Sequence, residues 1–329
     1  MTKIDIISGF LGAGKTTLIR KMLEEVFVNE QVVLVENEYG EVGIDGGFLK
    51  DSGIEIRELN SGCICCSLVG DFNESLKEVV ETYHPDRILI EPSGVGKLSD
   101  VMASVKNVEE AYEGVKLNAL VTVVNAVKAA KQMKAFGEFF NNQIENATTV
   151  VLSRTQNMKQ EKLDLCVKMI QELNPKAALI TTPWDEIAGE QILRVIEQQD
   201  SLMAELMAEV EAHRHEHHHH HHDHDEECCC HDHDHDADEI FTSWGKETPR
   251  KFTREQIEDI MKTFCDSEDC GIILRAKGMV PACDGTWIYF DMVEGEYEIR
   301  SGEPETTGRL CVIGTEVDEE KLETIFGLR

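Results

Sequence analysis

Residues 9–17, Gly9-Phe10-Leu11-Gly12-Ala13-Gly14-Lys15-Thr16-Thr17, constrain this chain more than any other stretch. They fit the phosphate-binding pattern G-x4-G-K-[ST] without a mismatch. Lys3 to Ser8 reads as a short β-branched strand before them, and an amphipathic helix opens at Thr17 after them. Glycines let the backbone curl so that successive N–H groups face an anion at the positive end of the helix dipole. Gly12, Ala13, Gly14, Lys15, Thr16 and Thr17 are therefore expected to hold a nucleoside triphosphate. Lys15 would reach the β- and γ-phosphates and the Thr16 hydroxyl would complete a Mg²⁺ shell.

The remaining alternation of apolar runs and helical stretches extends this unit. Gln31 to Val35, Ile54 to Leu59, Arg87 to Ile90, Ala119 to Val124, Thr148 to Leu152 and Ala177 to Ile180 read as strands, and a long helix is expected from about Asp185. The fold class expected is α/β, a doubly wound and mostly parallel sheet over residues 1–212. Arg87 to Ile90 runs into Glu91-Pro92-Ser93-Gly94, where a strand-end carboxylate faces Mg²⁺ or its waters. The loop after Val35, rich in Glu and Gly through Asp45, lies where nucleotide-sensing switches sit in such domains.

Cys63-Ile64-Cys65-Cys66 follows the third strand. Three thiols within four positions are hard to explain as packing, and they can converge on one soft cation such as Zn²⁺ or Cu(I). A four-coordinate ion would take one further group, for which Glu36 and Glu41 are candidates.

From His213 to Asp238 the composition changes: twelve of the thirteen histidines lie here, with Cys228-Cys229-Cys230 among them. Such a segment cannot bury a core and is expected to be disordered without metal. Its imidazole, thiolate and carboxylate groups suit Zn²⁺, Ni²⁺ or Co²⁺, with His217, His218, His219, His220, Cys228, Cys229 and Cys230 as candidate ligands. Residues 213–238 would then be a loading or storage linker. Residues 239–329 read as a small α+β domain: a helix N-capped near Thr253, strands near residues 271–276, 286–290, 297–300 and 309–313, and a final helix from Asp318. Cys265 and Cys270 bracket an acidic turn and are weaker metal candidates.

The formal charge of −31 argues against nucleic acid as a partner, since the surface would repel phosphates. No run approaches the ~18 apolar residues of a membrane span. Asp5 interrupts the first apolar run, so no signal peptide is expected there. These readings point to a cytoplasmic protein, in which eleven cysteines are reduced or metal-bound rather than disulfide-linked.

Together, residues 9–17, 36–42, 62–66 and 91–94 resemble the CobW-like GTPases, relatives of the urease and hydrogenase nickel-insertion GTPases (UreG and HypB). The resemblance implies a metallochaperone: GTP and metal on one domain, hydrolysis coupled to delivery to a recipient metalloprotein, with Zn²⁺ the usual cargo and Co²⁺ or iron in some branches. It also implies that Lys15 and Thr16 hold phosphate and Mg²⁺, and that Cys63, Cys65 and Cys66 hold the transported ion with help from Glu36 and Glu41. Lys15 and Glu91 would then be the catalytic pair. Two departures stand out. Where relatives read guanine with Asn/Thr-Lys-x-Asp, this chain has Ser153-Arg154-Thr155-Gln156, so Arg154 and Gln156 would contact the base and ATP use stays open beside GTP. No histidine lies between His84 and His213, so the fourth metal ligand and the choice among Zn²⁺, Co²⁺ and Ni²⁺ stay open too. A metal buffer with vestigial hydrolysis is the alternative function; the oligomeric state is not assigned.

Overall fold

A computed structural model of the chain describes residues 1–37, 55–59, 69–198, 240–293, 295–302 and 307–328. The first part alternates strictly: β1 (Thr2–Ser8), α1 (Lys15–Glu25), β2 (Val32–Asn37), β3 (Glu55–Leu59), α2 (Val69–Tyr83), β4 (Arg87–Glu91), α3 (Leu98–Ala111) and β5 (Val115–Asn125). Then come α4 (Ala129–Ala135), α5 (Gly137–Glu145), β6 (Thr149–Ser153), α6 (Gln160–Leu173), β7 (Ala178–Ile180) and α7 (Gly189–Glu197). The strands form one parallel sheet in the order β3-β2-β4-β1-β5-β6-β7. This is the doubly wound architecture expected. Every residue of β4 and β6 is buried, because helices cover both faces of a parallel sheet. Leu18, Met22 and Ile192 pack on one face with Leu34, Leu89 and Val121. Val101, Phe139, Ile144 and Ile170 pack on the other with Ile4, Ile88 and Val150.

The helix expected from about Asp185 begins at Gly189. Pro183 makes a turn first, its carbonyl accepting from the Glu186 N–H at 2.9 Å. The Glu25 carboxylate then accepts the Gly189 N–H at 2.7 Å, satisfying one of the helix's otherwise unbonded N–H groups.

At the sheet edge away from the glycine-rich loop, Arg87 is buried and pairs with Asp5. Its other nitrogens reach Glu30 at 2.7 Å and Glu197 at 3.2 Å, and its guanidinium lies 4.3 Å from the centroid of Phe27. Asn118 donates to the second oxygen of Asp5 at 2.7 Å.

The second part contains β8 (Thr242–Thr248), α8 (Arg254–Asp266), β9 (Ile272–Pro281), β10 (Trp287–Val293), β11 (Glu296–Gly302), β12 (Gly308–Thr315) and α9 (Glu319–Ile325). Its antiparallel sheet runs β11-β10-β9-β12-β8. Thr253 caps α8, accepting from the Gln256 N–H at 3.2 Å, and Asp318 caps α9, as expected. The first strand was not legible in the sequence: Thr-Ser-Trp-Gly-Lys-Glu-Thr lacks apolar alternation, and β12 recruits it by pairing.

This sheet has two occupied faces. Ala276, Phe290, Met292, Leu310 and Val312 pack on Ile257, Met261 and Phe326 of the helical layer. Met279, Cys311 and Ile313, on the opposite face, join the core of the first domain. Phe241, 1% exposed, pins the junction: its ring lies 5.1 Å from that of Phe139, 5.7 Å from Phe136 and 6.4 Å from Phe10. Phe10 belongs to the glycine-rich loop itself, so the second domain is anchored directly behind it.

Cys166, Cys270 and Cys311 are buried and Cys283 is exposed. Burial pushes the Cys166 thiol up to about 11 and raises Cys265 and Cys270 as well. Among the described residues no three His, Cys, Asp or Glu side chains gather as a metal site, so Cys265 and Cys270 find no third ligand there. Nor is any described helix long and apolar enough to cross a membrane.

Candidate nucleotide site

β1 delivers Gly9 at the carboxyl edge of the sheet, and α1 starts at Lys15 after a curl in which Gly9, Gly12 and Gly14 have φ of 144°, 66° and 104°. Those angles lie in the region that side chains disfavour, which is why the curl needs glycine. The Ala13 N–H donates to the Phe10 carbonyl at 3.1 Å, closing the loop. Lys15 is 5% exposed and donates to the Gly9 carbonyl at 3.0 Å, curling back over the space the loop encloses.

β4, next to β1, ends in Glu91. The Thr16 hydroxyl lies 3.0 and 3.1 Å from the two Glu91 carboxylate oxygens, and Lys15 Nζ lies 4.0 Å from Glu91 Oε1. A hydroxyl and a carboxylate meeting at one point beside a lysine is an oxygen donor set that fits a hard divalent cation. The turn after β4 is held close. A Cβ on Gly94 would come within 2.8 Å of the Leu11 nitrogen, so only glycine lets the two loops touch. Gln143, buried on α5, donates to the Gly94 and Gly96 carbonyls at 3.2 and 2.8 Å and fixes this turn. Nothing near Gln143 in the sequence marks it, since its role depends on packing across 47 or more residues.

β2 places Glu36 beside Glu91. The two are register partners on adjacent strands, and Glu36 is 3% exposed. β3 pairs beyond β2 and ends at Leu59, at the same carboxyl edge. Cys63, Cys65, Cys66 and Glu41 lie outside the described residues, as do His217, His218, His219, His220, Cys228, Cys229 and Cys230.

On the other flank, Ser153 at the end of β6 donates to the Ala13 carbonyl at 2.6 Å, tying this strand to the loop. Arg154 follows with φ of 58°, exposed, and ion-pairs with Glu296 of the second domain; Gln156 is exposed. Trp184, in the turn before α7, donates its indole N–H to the Leu152 carbonyl at 2.9 Å and backs onto Gly14. The sequence reading missed this buttress as well.

A cavity of about 480 Å³ opens over the loop, lined on this side by Gly12, Gly14, Lys15, Thr16, Glu91 and Arg154. That volume suits a nucleotide-sized ligand.

Comparison with known proteins agrees with this geometry. The family model described as CobW/HypB/UreG, nucleotide-binding domain, matches residues 3–181, and that described as cobalamin synthesis protein cobW C-terminal domain matches residues 241–327. Zinc chaperone YeiR of Escherichia coli is 30% identical over 190 residues, covering 57% of this chain and 57% of that protein. Zinc chaperone YjiA of the same organism is 29% identical over 190 residues, 56% of this chain and 58% of that one. Zinc-regulated GTPase metalloprotein activator 1 of Schizosaccharomyces pombe is 27% identical over 191 residues, 56% of this chain and 46% of that one. The chain thus spans roughly half the length of these curated relatives.

Proposed function

The chain belongs to the CobW/HypB/UreG family, and on that premise we propose that it is a GTP-hydrolysing metallochaperone whose nucleotide state governs transfer of a transition metal, Zn²⁺ first, to a recipient metalloprotein in the cytoplasm. The names of its relatives, zinc chaperones and a zinc-regulated GTPase, support the class of cargo and nucleotide.

The observation that carries this reading is the meeting of Thr16, Glu91 and Lys15 at one point, with Glu36 on the strand beside Glu91. Lys15 rests on the Gly9 carbonyl. A triphosphate would draw the ammonium onto its β- and γ-oxygens while the loop N–H groups and the start of α1 bind the rest. Mg²⁺, when bound between Thr16 and Glu91, would offset phosphate charge. Glu91 then holds an acceptor beside the γ-phosphate, where it can orient the attacking water, and Gly94 presents its N–H from the adjoining turn. Arg154 and Gln156 take the base, Arg154 along the ring and Gln156 at its polar edge.

Glu36 links this site to the metal. It lies one residue from the end of β2, the strand between β4, which carries Glu91, and β3, which leads within four residues to Cys63. Cys63, Cys65 and Cys66 hold the ion with Glu36 or Glu41, and residues 213–238 supply ions to them. Movement of Glu91 and Glu36 on hydrolysis alters the oxygen available to the metal, and by linkage the metal alters nucleotide affinity by the same factor.

The test is GTP turnover with and without Zn²⁺ in the full chain and in Cys65→Ala. Stimulation by Zn²⁺ that disappears in the variant, with nucleotide affinity kept, is expected. Equal stimulation in both would refute the coupling. Equal Zn²⁺ affinity with GDP and with a non-hydrolysable GTP analogue would leave a metal buffer instead.

A further inference from the structure

The wall of the cavity opposite the glycine-rich loop belongs to the second domain. Nearly half of the lining residues come from it, among them Arg275 of β9, Asp291 and Val293 of β10, and Glu298 and Arg300 of β11. Register explains why they stand together. Val293 pairs with Arg275 and Asp291 with both Lys277 and Glu298. Directly opposed residues share a face of an antiparallel sheet. The same face carries Met279, Cys311 and Ile313 into the first domain's core, with Ile313 directly opposite Arg275. Apolar side chains on β9 and β12 anchor the sheet, and the charged ones toward β10 and β11 line the cavity beside the loop.

The approach is close. A Cβ on Gly12 would overlap the Cγ1 methyl of Val293, so strand β10 ends against the phosphate loop itself. Arg275 is 18% exposed and lies 3.8 Å from Asp291. Five cationic side chains line the cavity, Lys15, Arg20, Arg154, Arg275 and Arg300, against four carboxylates. In a chain of formal charge −31, a concave site where cations outnumber acids is a local reversal of sign. Arginine's planar fork suits phosphate oxygens bidentately.

We propose that Arg275 and Arg300 are phosphate-binding residues supplied in cis by the second domain, so that the triphosphate is held between the loop and the β9–β11 sheet. Asp291 pairs with Arg275 and gives it up to a phosphate oxygen when nucleotide enters. The clamp extends the reading of residues 12–17 as the nucleotide loop and rests on it. It gives the domain that follows the His-rich segment a direct contact with the nucleotide, and so a means of feeling its hydrolysis.

The experiment titrates the full-length protein with a fluorescent, non-hydrolysable GTP analogue, comparing Arg275→Ala, Arg300→Ala, Asp291→Asn and Lys15→Ala, with thermal unfolding of each as a check on folding. Each arginine variant should lose about tenfold to a hundredfold in affinity, the range of one charged hydrogen-bonded contact. Asp291→Asn should bind as tightly as the parent or more so, because only the competing acceptor is weakened. If Asp291→Asn weakens binding as much as Arg275→Ala, the ion pair is structural and the inference fails. It fails equally if both arginine variants bind like the parent while Lys15→Ala does not. Absence of binding by the parent chain, or parent-like binding by Lys15→Ala, would overturn the nucleotide reading beneath it.

Discussion

Replacing Arg87 by Met tests how the central strands are held. Methionine keeps an unbranched apolar stem but removes the charge and the guanidinium that lies over Phe27. Of the three carboxylates around Arg87, Glu30 and Glu197 have side chains 34% and 30% exposed, so water and, for Glu197, Lys3 at 2.7 Å largely replace the lost partner. Asp5 is different: its side chain is 6% exposed, between strands β4 and β5. Stripping a buried charge of its partner costs about 3–5 kcal/mol. With a urea dependence of about 2–3 kcal/mol/M, the midpoint should fall by about 1–2.5 M near neutral pH.

The pH dependence has a definite sign. Burial already raises the Asp5 carboxyl above its ordinary value, against the lowering effect of Arg87 and Asn118. Without Arg87 it rises further. An acid whose folded value exceeds its unfolded one contributes most below the unfolded value and loses stability as pH climbs through the folded one. The deficit of Arg87→Met should therefore shrink as the pH is lowered to about 5, and Asp5→Asn with Arg87→Met should recover much of the neutral-pH loss. Urea melts at several pH values decide it. A deficit below about 1 kcal/mol near neutral pH, or one that does not narrow on acidification, would refute the argument.

The remaining predictions concern the junction and the thiols. Phe241→Ala should cost about 3–5 kcal/mol in urea unfolding, since a fully buried ring leaves a cavity among Phe10, Phe136 and Phe139, and the GTP analogue should bind more weakly because Phe10 lies in the loop; an effect below about 1 kcal/mol would deny the anchor. Alkylation followed by peptide mass mapping should modify exposed Cys283 in the native protein and spare Cys166, whose thiol is pushed up to about 11, and buried Cys311 until denaturant is added. Equal labelling of all three without denaturant would contradict the packing.

Local chemistry determined a great deal here. A β-branched strand, three glycines and Lys-Thr before an amphipathic run leave one structure open to residues 3–25, because the positive φ values and the helix start are properties of those residues alone. The parallel strands were legible as apolar runs for the same reason, and so were the caps at Thr253 and Asp318. What the sequence did not carry was anything made by distant partners. β8 has no strand pattern and exists because β12 pairs with it; Gln143 and Trp184 matter only through carbonyls they meet across the fold. The placement of Arg275 and Arg300 in the cavity beside Gly12 is the same kind of fact. It depends on strand register in one domain and on an apolar face seated in another, and neither is written in the neighbourhood of either arginine.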